Sequence, residues 1–193
     1  MREDFYEETA LMQDRKNGKI KYTLLKIASI IDYVLIFVWF FLVFYFFGMG
    51  SSVWMTLAVL LLPMVIFFLL GFFTGKIKNN VYADFDYTFV SGSVRISKVM
   101  NDIKRKHILN FDTHQIEKIG KVGSETYEKY KNMTDVSEKI FTLNKTPEDG
   151  KLFYYIVINN PDKTILVLEC TEKFIAHIVS FTNNRNLIED NFK

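Results

Sequence analysis

The residues of this chain best suited to chemistry are few and scattered. Lys104-Arg105-Lys106-His107 is the densest cationic run, and Lys98 lies near it across an expected hairpin. Cations grouped in this way can hold anionic headgroups or a partner surface, each contributing about 1 kcal/mol near a charged membrane. They can equally line a solvated strand edge and block edge-to-edge pairing. Asp112 and His114, two residues apart, would share one side of a strand and could form an acid–base pair or bind a metal. Nothing completes a third ligand, so a surface or turn pair is the plainer reading and no metal is expected. Cys170, the single cysteine, and His177 could act together only in a shared pocket that activates the thiol. A small buried apolar role for Cys170 and a packing role for His177 need no such pocket. The chain has no P-loop, H-E-x-x-H, G-x-S-x-G or dinucleotide fingerprint. No catalytic residue and no cofactor is therefore expected. Asp112, His114, Cys170 and His177 are the only nominations for a remote alternative, an enzyme acting at a bilayer.

The elements that must carry these residues follow from how charge and apolarity are distributed. Of 193 residues, 49% are hydrophobic and 24% charged, yet the two kinds are segregated, with Asp32 the only charged residue between Lys26 and Lys76. A purely soluble domain cannot hide such a block. The net charge of +2 argues against nucleic acid as a partner, which calls for a clustered cationic footprint.

A hydrocarbon core of ~30 Å needs about 20 apolar residues in a helix. Residues 27–47 and 53–73 each supply one such segment, and Gly48 to Ser52 permits a tight reversal between them. The expectation is a transmembrane helical hairpin over 27–75, behind an N-terminal arm over 1–26. The arm carries both signs of charge and no cleavage site follows the first segment, which excludes a signal peptide. Arg15, Lys16, Lys19, Lys21 and Lys26 precede the first span, Lys76 and Lys78 follow the second, and the loop has no charge. Both termini are thus expected on the cytoplasmic side of the cytoplasmic membrane, with Trp54 at the opposite interface. Asp32 reads as an interfacial or protonated carboxylate, with an ion or proton ligand as the functional alternative. Pro63 reads as a static kink, with a hinge as its alternative. Gly71 and Gly75, four apart, offer a helix-packing face. The arm itself reads as a short amphipathic helix over Phe5, Thr9 and Met12, or as a frayed segment.

After Asn80 the pattern alternates. Phe85, Tyr87 and Phe89 occupy every second position, the signature of a strand with one buried face. Further strands are expected from Val94, over Ile103 to Phe111, Gln115 to Val122, Lys139 to Asn144, Leu152 to Ile158 and Thr164 to Cys170. A short helix or ordered loop is expected over Ser124 to Met133. The last element, Glu172 to Phe181, has helical spacing with Thr171 as its cap. The expected class is α+β: about seven antiparallel strands and a closing C-terminal helix, over residues 80–193.

That order resembles a pleckstrin-homology-like domain. The segment YADFDYTFVSGSVRISKVMNDIKRKHILNFDTHQIEKIG carries the resemblance most specifically. It is similar to a family of small bacterial membrane proteins in which two membrane helices precede such a domain. The family has no assigned activity, so the resemblance implies fold and a binding role rather than chemistry. Pleckstrin-homology domains that bind phosphoinositides use basic residues around their first hairpin, whereas the corresponding loop here, Val90-Ser91-Gly92-Ser93, is short and uncharged. The expected function is a non-enzymatic binding or scaffold protein at the inner face of the membrane. Its expected partners are the lipid bilayer and another membrane or cytoplasmic protein, a second copy of itself included. The alternative is an anionic-lipid sensor using Lys98, Lys104, Arg105 and Lys106.

Overall fold

The first surprise of the structure lies in the N-terminal arm. Residues Phe5–Ala10 form a strand, β1, paired antiparallel with Ala83–Val90, β2, from Phe5 opposite Val90 to Ala10 opposite Phe85. The structure is a computed structural model that describes residues 4–50, 52–159 and 161–182. Ser51 in the expected reversal, Asn160 in the last expected turn and the expected domain end at 183–193 lie outside it. The arm is neither an amphipathic helix nor frayed. Tyr6, Glu8 and Ala10 face inward, and the charge at Glu8 breaks the apolar alternation by which a strand is recognised. Glu8 faces inward because it accepts hydrogen bonds from the Thr171 amide (2.9 Å) and hydroxyl (2.8 Å).

Between β1 and β2 the chain makes two long helices, α1 (Arg15–Gly48) and α2 (Val53–Val81), which form a unit of their own over Asp14–Tyr82. Both are long and apolar enough to cross a membrane. Helicity runs beyond the expected apolar segments, so Arg15–Lys26 is helix rather than arm, and α2 passes through Pro63 to Val81 without interruption. The helices pack closely where side chains are small. Ser29 is buried and its hydroxyl donates to the Gly71 carbonyl (3.2 Å). A Cβ at Gly71 would stand 3.3 Å from both Asp32 Cβ and Tyr33 Cζ, whereas one at Gly75 would meet only Ser29 Oγ at 3.7 Å. The Gly71 face is thus occupied by α1 within the hairpin. Gly71→Leu is expected to destabilise the helix pair by about 1–3 kcal/mol through overpacking, and Gly75→Ala to be tolerated, as measured by unfolding in mixed micelles.

The second unit takes the residues before Asp14 and after Tyr82. Its strands continue with β3 (Ser93–Met100), β4 (Lys104–Asp112), β5 (Ile116–Lys121), β6 (Ser137–Ile140), β7 (Leu152–Asn159) and β8 (Lys163–Cys170), with α3 (Glu125–Lys131) before β6 and α4 (Glu172–Ser180) at the end. They make two four-stranded sheets, β1-β2-β3-β4 and β5-β7-β8-β6. The period-two aromatics of β2 do as alternation requires: Phe85, Tyr87 and Phe89 point into one core with Val94, Ile96 and Phe111. The second sheet supplies Ile119, Tyr154, Ile156, Leu166 and Leu168 from the other side, and α4 adds Phe174, Ile175 and Ile178. The remaining faces of β7 and β8, with Tyr155, Val157, Ile165 and Val167, pack against Tyr127 of α3. Burial on both faces explains why these two strands read as almost unbroken apolar runs.

One pairing departs from the expected all-antiparallel arrangement. β6 is short and runs parallel to β8, with Ser137 opposite Thr164 and Ile140 opposite Val167. The expected strand over Lys139 to Asn144 stops at Ile140 because Phe141 turns into the core and the next residues bend around a buried carboxylate. Glu169, fully buried, accepts from the Thr142 hydroxyl, from Asn144 Nδ2 (2.8 Å) and from the Glu148 amide (2.9 Å). Tyr87 secures the same corner, donating to the Phe141 carbonyl and accepting from the Glu169 amide (3.3 Å). Its burial raises the phenol's pKa well above the ordinary value.

Candidate functional site

A β-strand turns successive side chains to opposite faces, so a consecutive cationic run cannot form one patch. The structure divides Lys104-Arg105-Lys106 accordingly. Lys106 stands directly opposite Lys98, and Lys104 opposite Met100, while Arg105 pairs with Val99 on the other face. Arg105 is moreover spoken for: its guanidinium lies 3.2 Å from Asp86 Oδ2 and 4.0 Å from Glu7. The Asp86 contact is an ion pair without an aligned hydrogen bond, since only Oδ1 receives one, from the Thr9 hydroxyl (2.8 Å). The structure therefore groups Lys98, Lys104 and Lys106 and assigns Arg105 to holding β1 and β2. A register shift between Ile96 and Ser97 is what puts Lys106, rather than Arg105, on the face of Lys98.

The lysine pair has an energetic signature. Like charges directly opposite one another destabilise an antiparallel pair. Burial, and then the neighbouring Lys106 charge, lower the pKa of Lys98 below the ordinary lysine value. Phe85 offers partial compensation, its ring centroid 5.8 Å from Lys98 Nζ. A lysine with a folded-state pKa below its unfolded one costs stability while charged in both states. That cost fades as pH rises through the folded pKa toward the unfolded value near 10.5. Lys98→Met is thus expected to raise the thermal midpoint at neutral pH by roughly 2–5 °C, the scale of one cross-strand like-charge pair. The advantage over the parent should vanish in scans at high pH.

The turn that joins these strands is tight, with the polar Asn101 and Asp102 at its centre. Asn101 and Asp102 have φ of 53° and 59°, and the Ile103 amide donates to the Met100 carbonyl (3.2 Å). Ile103 itself is 83% exposed. The sequence marked Asn101-Asp102 as a turn but gave no reason to single out Ile103, which reads there simply as the start of a strand.

The other nominated residues do not come together. Asp112 and His114 do not share a strand face, because β4 ends at Asp112 and Thr113–Gln115 is a 3-10 turn. Gln115 closes that turn by accepting from the Asp112 amide (2.9 Å), and His114 points to solvent. Cys170 is fully buried in the core, and burial pushes its thiol pKa well above the ordinary value, the opposite of an activated nucleophile. Cys170 is expected to resist iodoacetamide in the native protein and to react only in denaturant, as read by mass spectrometry. His177 is bound elsewhere: Nδ1 lies 3.1 Å from Asp4 Oδ2, and the ring stacks on Tyr6 with centroids 4.7 Å apart. It helps fasten β1 to α4, a packing role. Among the described residues no three His, Cys, Asp or Glu side chains gather into a group that could hold a metal ion.

A family model described as "Bacterial PH-like domain (DUF6106)" matches residues 3–188. The chain belongs to that family. No curated protein and no solved structure matches it. The match begins ahead of β1 and runs through both apolar helices, so the PH-like domain of this family includes the N-terminal strand and the inserted hairpin. The loop Val90-Ser91-Gly92-Ser93 accordingly joins the second and third strands of the PH-like domain. The connection between its first two strands, where the expectation placed a short uncharged loop, is the helical hairpin itself.

Proposed function

We propose that this protein is a non-enzymatic, membrane-anchored binding or scaffold module. On this reading α1 and α2 cross the cytoplasmic membrane as a hairpin, and the PH-like domain is presented at the inner face to a protein partner or to its own copies. One observation carries the reading: β1 and β2 are neighbours in one sheet, although a hairpin of exposed apolar side chains lies between them in sequence. Phe37, Phe41, Phe44, Leu62 and Phe73 are all more than half exposed, and such a surface needs a lipid solvent. Strands that pair must lie on one side of a membrane, so the pairing of β1 with β2 supports a hairpin that crosses and returns. The flanking Lys and Arg residues favour the cytoplasm for that side.

The test is alkaline extraction of the full-length protein from its own membranes, followed by in-membrane crosslinking with mass spectrometry. Retention in the membrane, protease-shielded tags at both termini in intact cells and a reproducible crosslinked partner or homo-oligomer would support the proposal. Release by alkali, or a tag accessible from outside, would refute the anchoring, and crosslinks to lipid alone would refute the scaffold role.

A further inference from the structure

We infer that Asp32 is the point at which the helical hairpin attaches to a different membrane protein, taking a lysine or arginine from a spanning helix of that protein seated in the groove between α1 and α2. The inference rests on the membrane-anchored reading and names the chemistry of the partner. Three observations carry it.

The first is a carboxylate without a partner. The hydroxyls around it are satisfied within the helix pair: Ser29 donates to the Gly71 carbonyl (3.2 Å) and Thr74 to the Leu70 carbonyl (2.8 Å). Asp32 makes no hydrogen bond and no ion pair among the described residues. Carboxylates are rare in spanning helices because hydrocarbon solvates them poorly, and those that persist pair with another group.

The second is that the chain's own cations do not take it. Lys26 lies six residues before Asp32, about 9 Å along α1, and at 3.6 residues per turn it emerges on another face. Lys76 is about 7.5 Å along α2 from the Gly71 that opposes Asp32, and its Nζ lies 4.4 Å from the Phe72 ring centroid. A second copy offers no cation at this depth, because Asp32 is the only charged residue between Lys26 and Lys76. Two Asp32 carboxylates brought together would repel. A complementary charge here therefore calls for a different chain.

The third is access. A Cβ at Gly71 would stand 3.3 Å from Asp32 Cβ, so the residue lies against α2. Ser29 and Gly71 are buried in that contact, whereas Asp32 is only half-buried. Its carboxylate therefore borders the line along which the two helices meet. A third helix packed into the groove of such a pair follows this line, its apolar residues against the exposed Tyr33 and its cation on Asp32. A charge-assisted pair is stronger than a neutral hydrogen bond, and stronger again away from water. It would fix the depth and register of the partner helix, a choice that van der Waals contact between apolar helices leaves open.

The experiment uses the full-length protein in its own membranes, with a photo-crosslinking amino acid at Tyr33, beside Asp32, or at Phe41, nine residues from Asp32 and so on the opposite face of α1. Adducts are mapped by mass spectrometry, and alkaline extraction of each sample checks the anchoring. The label at 33 should join one membrane protein through a spanning segment that carries a lysine or arginine, and the label at 41 should not. Asp32→Asn should lower that adduct roughly tenfold or more, and Asp32→Glu should keep it. Asp32→Lys should restore it when the mapped cation is exchanged for a carboxylate. An adduct undiminished in Asp32→Asn would overturn the inference, as would a mapped segment with no cation, or adducts at 33 to lipid or to a second copy alone. If Asp32→Asn fails to accumulate, the segment mapped in the parent and in Asp32→Glu decides between the same outcomes. Release by alkali would instead strike at the membrane-anchored reading, whereas retention with a partner adduct indifferent to Asp32 would remove only this inference.

Discussion

Deleting residues 1–13 is expected to unfold the PH-like domain while leaving the two apolar helices formed. β1 pairs with β2 along all six of its residues and fills part of the core through Ala10. It also supplies the carboxylate at the N-terminus of α4, where Glu8 binds both the amide and the hydroxyl of Thr171. A negative charge there is favourable to the helix, and its removal leaves the Thr171 amide without its acceptor. Tyr6, stacked on His177 and 6.0 Å from Phe174, goes with it. Together these losses should reach about 5 kcal/mol or more, comparable with the whole stability of an ordinary domain. Limited proteolysis of membranes would read the effect as cleavage within β2 to β8 in the truncated chain and protection in the parent. A truncated chain that stayed protected would mean that β1 is dispensable to the fold. The same dependence orders folding: β1 is made first and cannot dock until the helices between it and β2 have emerged.

Glu169→Ala should be nearly as damaging, with an expected loss of about 3–5 kcal/mol. The carboxylate is fully buried and is satisfied entirely by the loop that follows β6: the Thr142 hydroxyl, the Asn144 side-chain amide and the Glu148 amide. Asn144 in turn binds the Leu11 carbonyl (2.7 Å) and the Gln13 amide (2.9 Å), so the loop also fastens the chain just past β1. Truncating Glu169 orphans three donors and leaves a cavity between β8 and the loop. Glu169→Gln should cost less, because one amide oxygen still accepts. Chemical denaturation would measure both, and hydrogen exchange should localise the loosening to residues 141–151. Equal stability of the Ala variant and the parent would show that the loop is held by other means.

Much of this was legible along the chain, for reasons that can be named. A helix long and apolar enough to cross a membrane declares itself by local composition, because its character is a sum over neighbouring residues. Hence the two apolar segments stood out, although the helices continue into flanking sequence that composition marks as polar. β2, β7, β8 and α4 were readable because their periodicity is the imprint of a face against the core. Tertiary structure alone made β1 a strand, since the inward Glu8 is explained only by the distant Thr171. It alone made β6 parallel to β8, a choice fixed by where Phe141 and Glu169 sit. The basic run shows the limit most plainly. Sequence placed Lys104, Arg105 and Lys106 side by side, and the pleat and a one-residue register shift then parted Arg105 from the others. Composition is additive along a chain, whereas the face on which a charge emerges depends on a partner strand that the local sequence does not contain.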